Sequence, residues 1–183
     1  MEDSIKSVKK IIKRALLIID VQNKYLSGIA QRDKELAIFF INLLIDLFRK
    51  NEFPIIRIYH HNKENGPVPG TEEFEYTDSL HITPEDTQII KTYSDSFNRT
   101  ELNEVLKQKG CNTLFLCGLS AIGCVLATRT GALNNDYKAF IVKDSIMSHN
   151  TEYTKNVEIM FDAINYDVVK LLIECCGKER NPV

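Results

Sequence analysis

Thr113-Leu-Phe-Leu-Cys-Gly-Leu-Ser-Ala-Ile-Gly-Cys-Val-Leu-Ala-Thr-Arg-Thr130 is the stretch on which the fold turns. Residues 113–117 form a short apolar run, apolar at every position as a strand buried on both faces of a parallel sheet requires. Gly118 is expected to break that strand. From Ile122 the apolar spacing changes to that of a helix, which puts Cys124 in the first helical turn. A thiol at a helix N-terminus lies among unpaired backbone N–H groups and at the positive end of the macrodipole, and both favour the thiolate. The competing reading is a small buried hydrophobe, the usual fate of a free cysteine.

Outward from this stretch the chain alternates strand and helix. Residues 15–19 are an apolar run ending on the carboxylate of Asp20. Residues 33–50 carry helical periodicity through Leu36, Phe39, Phe40, Leu43, Leu44 and Leu47, with Asp33 placed to cap them. Residues 54–59 read as a strand, and 61–86, rich in Gly, Pro and charge, as a long connection. Residues 87–90 are a further apolar run ending on Lys91. A helix over 100–109 closes at Gly110. After the central stretch come a strand over 138–142, a helix over 151–164 capped by Thr151, and a last strand over 166–172.

Strands separated by helices imply a three-layer α/β/α sandwich around a doubly wound parallel sheet. Such sheets bind ligands outside the carboxyl ends of their strands. Asp20, Lys91 and Cys124 all fall on that edge. Singly, Asp20 could be a helix cap and Lys91 a solvated strand-end charge. An acid, an ammonium and a thiol on one edge of one sheet are together the makings of a nucleophilic site.

Bulk properties narrow the classes. The 183 residues suit one domain with a sizeable core, and 44% hydrophobic with 26% charged is a globular composition. A net charge of -2 gives no reason to expect nucleic acid or a membrane as partner. Five cysteines (Cys111, Cys117, Cys124, Cys175 and Cys176) include no CxxC pair, so the expectation is a reduced, cytoplasmic protein without a disulfide framework. Residues 1–14 hold Lys6, Lys9, Lys10, Lys13 and Arg14 opposite Ile5, Val8 and Ile12. They read as an N-terminal helical extension, with the domain at 15–176 and a polar tail at 177–183.

Three segments carry a resemblance. Leu16-Leu-Ile-Ile-Asp-Val-Gln-Asn23, Lys91-Thr-Tyr-Ser-Asp-Ser-Phe97 with Thr100 and Leu102, and Cys117-Gly-Leu-Ser-Ala-Ile-Gly-Cys-Val125 with Ala127 and Thr128 are similar to the three signatures of the isochorismatase-like cysteine hydrolases, in that family's order. The resemblance implies a six-stranded sheet of order 3-2-1-4-5-6. It also implies an Asp20–Lys91–Cys124 catalytic triad, an oxyanion hole of the Ser120 and Cys124 backbone N–H groups, and a cis peptide at Leu119–Ser120. The chemistry implied is metal-independent, amidohydrolase-type cleavage of a C–N bond in a small amide, carbamoyl or ureido compound through a thioester. No cofactor is expected, and a homodimer or homotetramer is.

Departures from the signatures are also legible. The family's Thr-Asp ahead of the cysteine is Ala121-Ile122, so a polar wall becomes apolar. Its Ser-Ala-Phe after the lysine reads Asp95-Ser96-Phe97, which suggests a carboxylate near the mouth. Tyr25, Phe97 and Ile122 are the candidate substrate contacts. His60 and His61, being adjacent on a strand, should point to opposite sides and do not form a chelating pair; His81 and His149 are isolated, so no metal site is expected. Two other classes fit the same residues: an idle member acting as a scaffold, and a thiol redox sensor using Cys124.

Overall fold

In the computed structural model the described residues are 12–174, apart from 63 and 65. Residues 1–11 of the expected extension, the tail at 177–183 and Cys175 and Cys176 lie outside them. Five parallel strands, β1 (Arg14–Ile19), β2 (Ile55–His60), β3 (Thr87–Lys91), β4 (Thr113–Leu119) and β5 (Lys138–Met147), pair in the order β3-β2-β1-β4-β5. β1 and β4 are buried at every residue, as their unbroken apolar runs require.

Period-two alternation along β1 divides the core. Leu16 and Ile18 pack on one side with Phe115 of β4 and with Ile41, Leu44, Ile45 and Phe48. Those last four lie on one face of α2 (Gln31–Lys50), whose preceding turn is α1 (Asn23–Leu26). Ala15, Leu17 and Ile19 pack on the other side. There they meet Leu102 and Leu106 of α3 (Leu102–Gln108), Ala132 of α4 (Leu126–Asn134) and Val157 of α5 (Thr151–Met160).

The sixth expected strand is instead a helix, α6 (Tyr166–Glu174). Val169 and Ile173, four residues apart, are fully buried against the α2 side, whereas Val168 and Leu171 face solvent. That is the spacing of a helical stripe, and the Asn165 side chain accepts from the Val168 N–H to start it. Just ahead of α6, Ile164 makes an isolated parallel bridge to Val142.

Caps also differ from expectation. Asp33 lies inside α2, and its carboxylate accepts from the Thr151 hydroxyl. α5 is capped by Asn150, whose side chain accepts from the Glu152 N–H at 2.9 Å. Thr151 therefore ties two helices together where a local cap was expected.

Gly118 does not break β4, which runs on to Leu119. Its φ of 109° lies outside the range of other residues, and a Cβ there would sit 2.1 Å from the Ile19 carbonyl oxygen. The glycine lets β4 close on β1 just below the strand ends. Gly118→Ala should therefore cost about 3 kcal/mol or more in urea unfolding. Gly28→Ala, which meets nothing within 4 Å, should stay within about 0.5 kcal/mol of the parent. Equal costs at the two positions would refute the close-approach reading.

Candidate functional site

Four neighbouring elements deliver side chains to the carboxyl edge of the sheet. Asp20 follows β1 with φ 54°, a left-handed turn that ends the strand. His60 ends β2, Lys91 ends β3, and the two are register partners. Cys124 lies just past β4, in a single wide turn over Ala121–Val125. That turn closes with a bond from the Val125 N–H to the Ser120 carbonyl at 3.2 Å, five residues apart, so the expected first α-helical turn is a π turn. The Leu119–Ser120 peptide that enters it is cis.

The structure brings the three predicted residues into contact around one ammonium. Lys91 Nζ donates to Asp20 Oδ2 at 2.7 Å and to Cys124 Sγ at 3.2 Å. Its third acceptor is His60 Nδ1 at 3.1 Å. Asp20 and Lys91 are 2% and 1% exposed, so this is a buried ion pair whose desolvation is offset by short, charge-assisted bonds. Asp20 Oδ1 is buried and has no hydrogen-bond partner among the described residues. Asp20, His60 and Cys124 each offer a ligand atom within 4.8 Å of the others. The cation they converge on is the lysine's own.

Cys124 does not have the lowered thiol that a helix N-terminus suggested. Burial first, and then the Asp20 carboxylate, push it up to about 12 against the downward pull of Lys91. Cys111 and Cys117 are also raised, chiefly by burial, and their sulfurs donate to the carbonyls of Arg14 and Leu17. They are the small buried hydrophobes of the competing reading. Cys124 alone among the described cysteines is half-buried beside a charge pair.

The outlying candidates divide. Tyr25 meets the His60 ring edge to face, with centroids 6.0 Å apart. Burial, and then the Asp20 and Cys124 charges, raise its phenol to about 12, so it flanks the site. Ile122 is 44% exposed two residues before the sulfur, whereas Ala121 is turned fully into the core. Phe97 packs against Tyr137, with ring centroids 5.7 Å apart, and against the same inner cluster that Cys124 adjoins. Asp95 accepts from the Phe97 N–H at 2.9 Å and lies against Gly131; burial raises its carboxyl, against the downward pull of that backbone bond and of Lys91. Ser120 Oγ is 3.1 Å from Ser148 Oγ.

Two residues in the cluster's support escaped the sequence reading. His60 was set aside with His61, and the pair does diverge: His61 Nδ1 donates to the Pro67 carbonyl while His60 enters the site. Gln22 sits within a quoted signature. Its amide oxygen accepts from the His60 N–H at 2.7 Å, and its NH₂ donates to the carbonyls of His60 and Phe74. The 61–86 connection thus packs on the sheet edge, where the Tyr76 hydroxyl lies 2.7 Å from the carbonyls of both Ile18 and Ile58.

Comparison with known proteins agrees with this architecture. A profile of the isochorismatase domain matches residues 14–166. The uncharacterized isochorismatase family protein YddQ of Bacillus subtilis is 31% identical over 136 residues, covering 72% of this chain and 76% of that protein. Among solved structures, an isochorismatase-like hydrolase from Alkaliphilus metalliredigens superposes with TM-score 0.78 at 23% identity, covering 88% of this chain and 99% of the other. N-carbamoylsarcosine amidase from Thermoplasma acidophilum superposes with TM-score 0.73 at 22% identity, covering 84% and 95%.

Lys91→Met strands a buried carboxylate, so it should lose about 3–5 kcal/mol of unfolding free energy. The double variant Asp20→Asn with Lys91→Met should recover much of that loss. Additive losses in urea titrations would show that the pair is not coupled.

Proposed function

The chain belongs to the isochorismatase family, and from that premise we propose that it is a cysteine hydrolase cleaving a C–N bond of a small amide, carbamoyl or ureido compound. The observation that carries the reading is a buried ammonium 2.7 Å from a carboxylate and 3.2 Å from a thiol.

In this mechanism Asp20 is the base. The resting sulfur is protonated, so the proton must leave as the S–C bond forms. It passes to the neighbouring Asp20 carboxylate, whose charge already acts on the thiol, while Lys91 remains beside both groups as their charges change. The carbonyl oxygen takes up the electron pair of the broken π bond, and the Ser120 and Cys124 backbone N–H groups are assigned to it. Losing one such donor typically raises a barrier by about 2.7–4 kcal/mol. Collapse breaks the C–N bond, the amine leaves with the proton held by Asp20, and a Cys124 thioester remains. Asp20 then deprotonates water, which releases the acid and restores the thiol. Ile122, exposed two residues before the sulfur, and the Tyr25 ring beside His60 are the groups assigned to the substrate, which suits a compound with a hydrocarbon portion beside its carbonyl. The fold shared with N-carbamoylsarcosine amidase supports the substrate class. A thiol sensor needs a stabilised thiolate, and the raised Cys124 thiol favours the hydrolase.

Intact-mass screening of amides, carbamoyl and ureido compounds should find an acyl adduct on Cys124 that is absent in Cys124→Ala. Asp20→Asn should cut turnover of any hit by about 10²-fold or more. A panel that leaves neither adduct nor released amine would favour an idle scaffold. Because the thiol is raised to about 12, the thiolate fraction grows as pH rises towards that value. Iodoacetamide labelling of Cys124 should therefore accelerate about tenfold per pH unit through the neutral and mildly alkaline range. A plateau near the ordinary thiol range would contradict this.

A further inference from the structure

Lys91 holds three acceptors, and the proposed mechanism uses two of them. The third, His60 Nδ1, lies 3.1 Å from Nζ, 3.8 Å from Asp20 Oδ2 and 3.9 Å from Cys124 Sγ. An ammonium has three N–H donors and no acceptor. For Lys91 to keep all three partners, His60 Nδ1 must present a lone pair, so the ring is neutral with its proton on Nε2. The ring is also held in place. Its backbone N–H and carbonyl are both clamped by the fully buried Gln22 amide, and the Tyr25 ring packs against it edge to face. A ring so fixed is built to present one atom to one partner.

We propose that His60 is a positioning residue that keeps the Lys91 ammonium against the Cys124 sulfur, and does so only while its imidazole is neutral. Among the described residues, the charged or titratable groups that contact the ring all belong to the cluster: Asp20 from the end of β1, Lys91 from β3, Cys124 from the wide turn, and Tyr25 from α1. A proton on Nδ1 turns an acceptor into a donor aimed at an ammonium. The two cations then repel, and the nearest group able to accept the new N–H is Asp20 Oδ2, the lysine's own counter-ion. The lysine is drawn off the sulfur and the base is occupied. One protonation thus disables both aids to thiol ionisation. The inference rests on Cys124 being the nucleophile.

The test is the rate of carbamidomethylation at Cys124, read by peptide mass on the full chain from about pH 5 to about pH 9, because labelling requires no substrate. His60→Asn keeps a carbonyl oxygen near the Nδ1 position and cannot titrate. His60→Leu removes the acceptor. In the parent, the slope of log rate against pH should steepen from one towards two on the acid side. His60→Asn should keep the parent rate within about threefold at the alkaline end and lose the steepening. His60→Leu should be slower by about tenfold there, the effect of removing a charge-assisted hydrogen bond. If His60→Leu does not fold, the loss or survival of the steepening in His60→Asn decides alone. A parent slope of one throughout, or a His60→Asn profile that matches the parent or is as slow as His60→Leu, overturns the proposal. Failure of the nucleophile reading looks different: labelling of the parent would then spread over several cysteines without preference for Cys124.

Discussion

A lysine crossing one strand to reach a carboxylate is the constraint on which the site depends. In the order β3-β2-β1-β4, Lys91 and Asp20 sit on strands separated by β2, and adjacent strands are ~4.8 Å apart. A side chain from β3 must therefore span about two strand spacings to meet a group at the end of β1. Lysine, with its long unbranched stem, delivers a point charge over that distance while burying its methylenes. Its path passes over the end of β2, so residue 60 becomes a neighbour of the ion pair by topology alone. Cys124 enters from the far side, just past β4, and the wide turn sets its depth.

Burial determines what these groups can do. Both ions of the pair are nearly inaccessible, which leaves a single lysine as the counter-charge for both a carboxylate and any thiolate that forms. The resting arrangement thus favours one negative charge at a time: the carboxylate is paired and the sulfur keeps its proton. On the proposed reading this is useful, because it withholds a reactive thiolate until a carbonyl is in place to receive it. The same arithmetic explains why the acceptor opposite the lysine matters, since the ammonium has no spare donor among its three partners.

The scaffold supports that edge through contacts the reacting groups do not make. Gly118 brings β4 onto β1, the Tyr76 hydroxyl fills the space beside the Ile18 and Ile58 carbonyls, and Gln22 links the ends of β1 and β2 to the long connection. Apolar Ala121 is consumed by the core, so its replacement of a polar residue changes packing. Ile122 remains outside and, on the proposed reading, is the part of the departure from the family pattern that a substrate would meet.

Much of this was legible from residue order alone. Continuous apolar runs at 15–19 and 113–117 demanded strands buried on both faces, and polar residues at their carboxyl ends announced the functional edge. Asp20 and Lys91 were visible because each follows an apolar run directly, and Cys124 because it falls where the helical pattern begins after the 113–117 run. The sixth strand was misread because Val168, Val169, Leu171 and Leu172 satisfy a buried strand or a helical stripe equally well, and only packing of Val169 and Ile173 against α2 decides between them. The thiol's direction of shift was misjudged because a local helix end can be read from sequence, whereas burial and a carboxylate arriving from a hundred residues away cannot. His60 is the plainest case. The sequence determined that it ends a strand beside His61, and only the tertiary structure decided that its ring meets Lys91, because strand order, which no local pattern encodes, chooses the neighbours at the sheet edge.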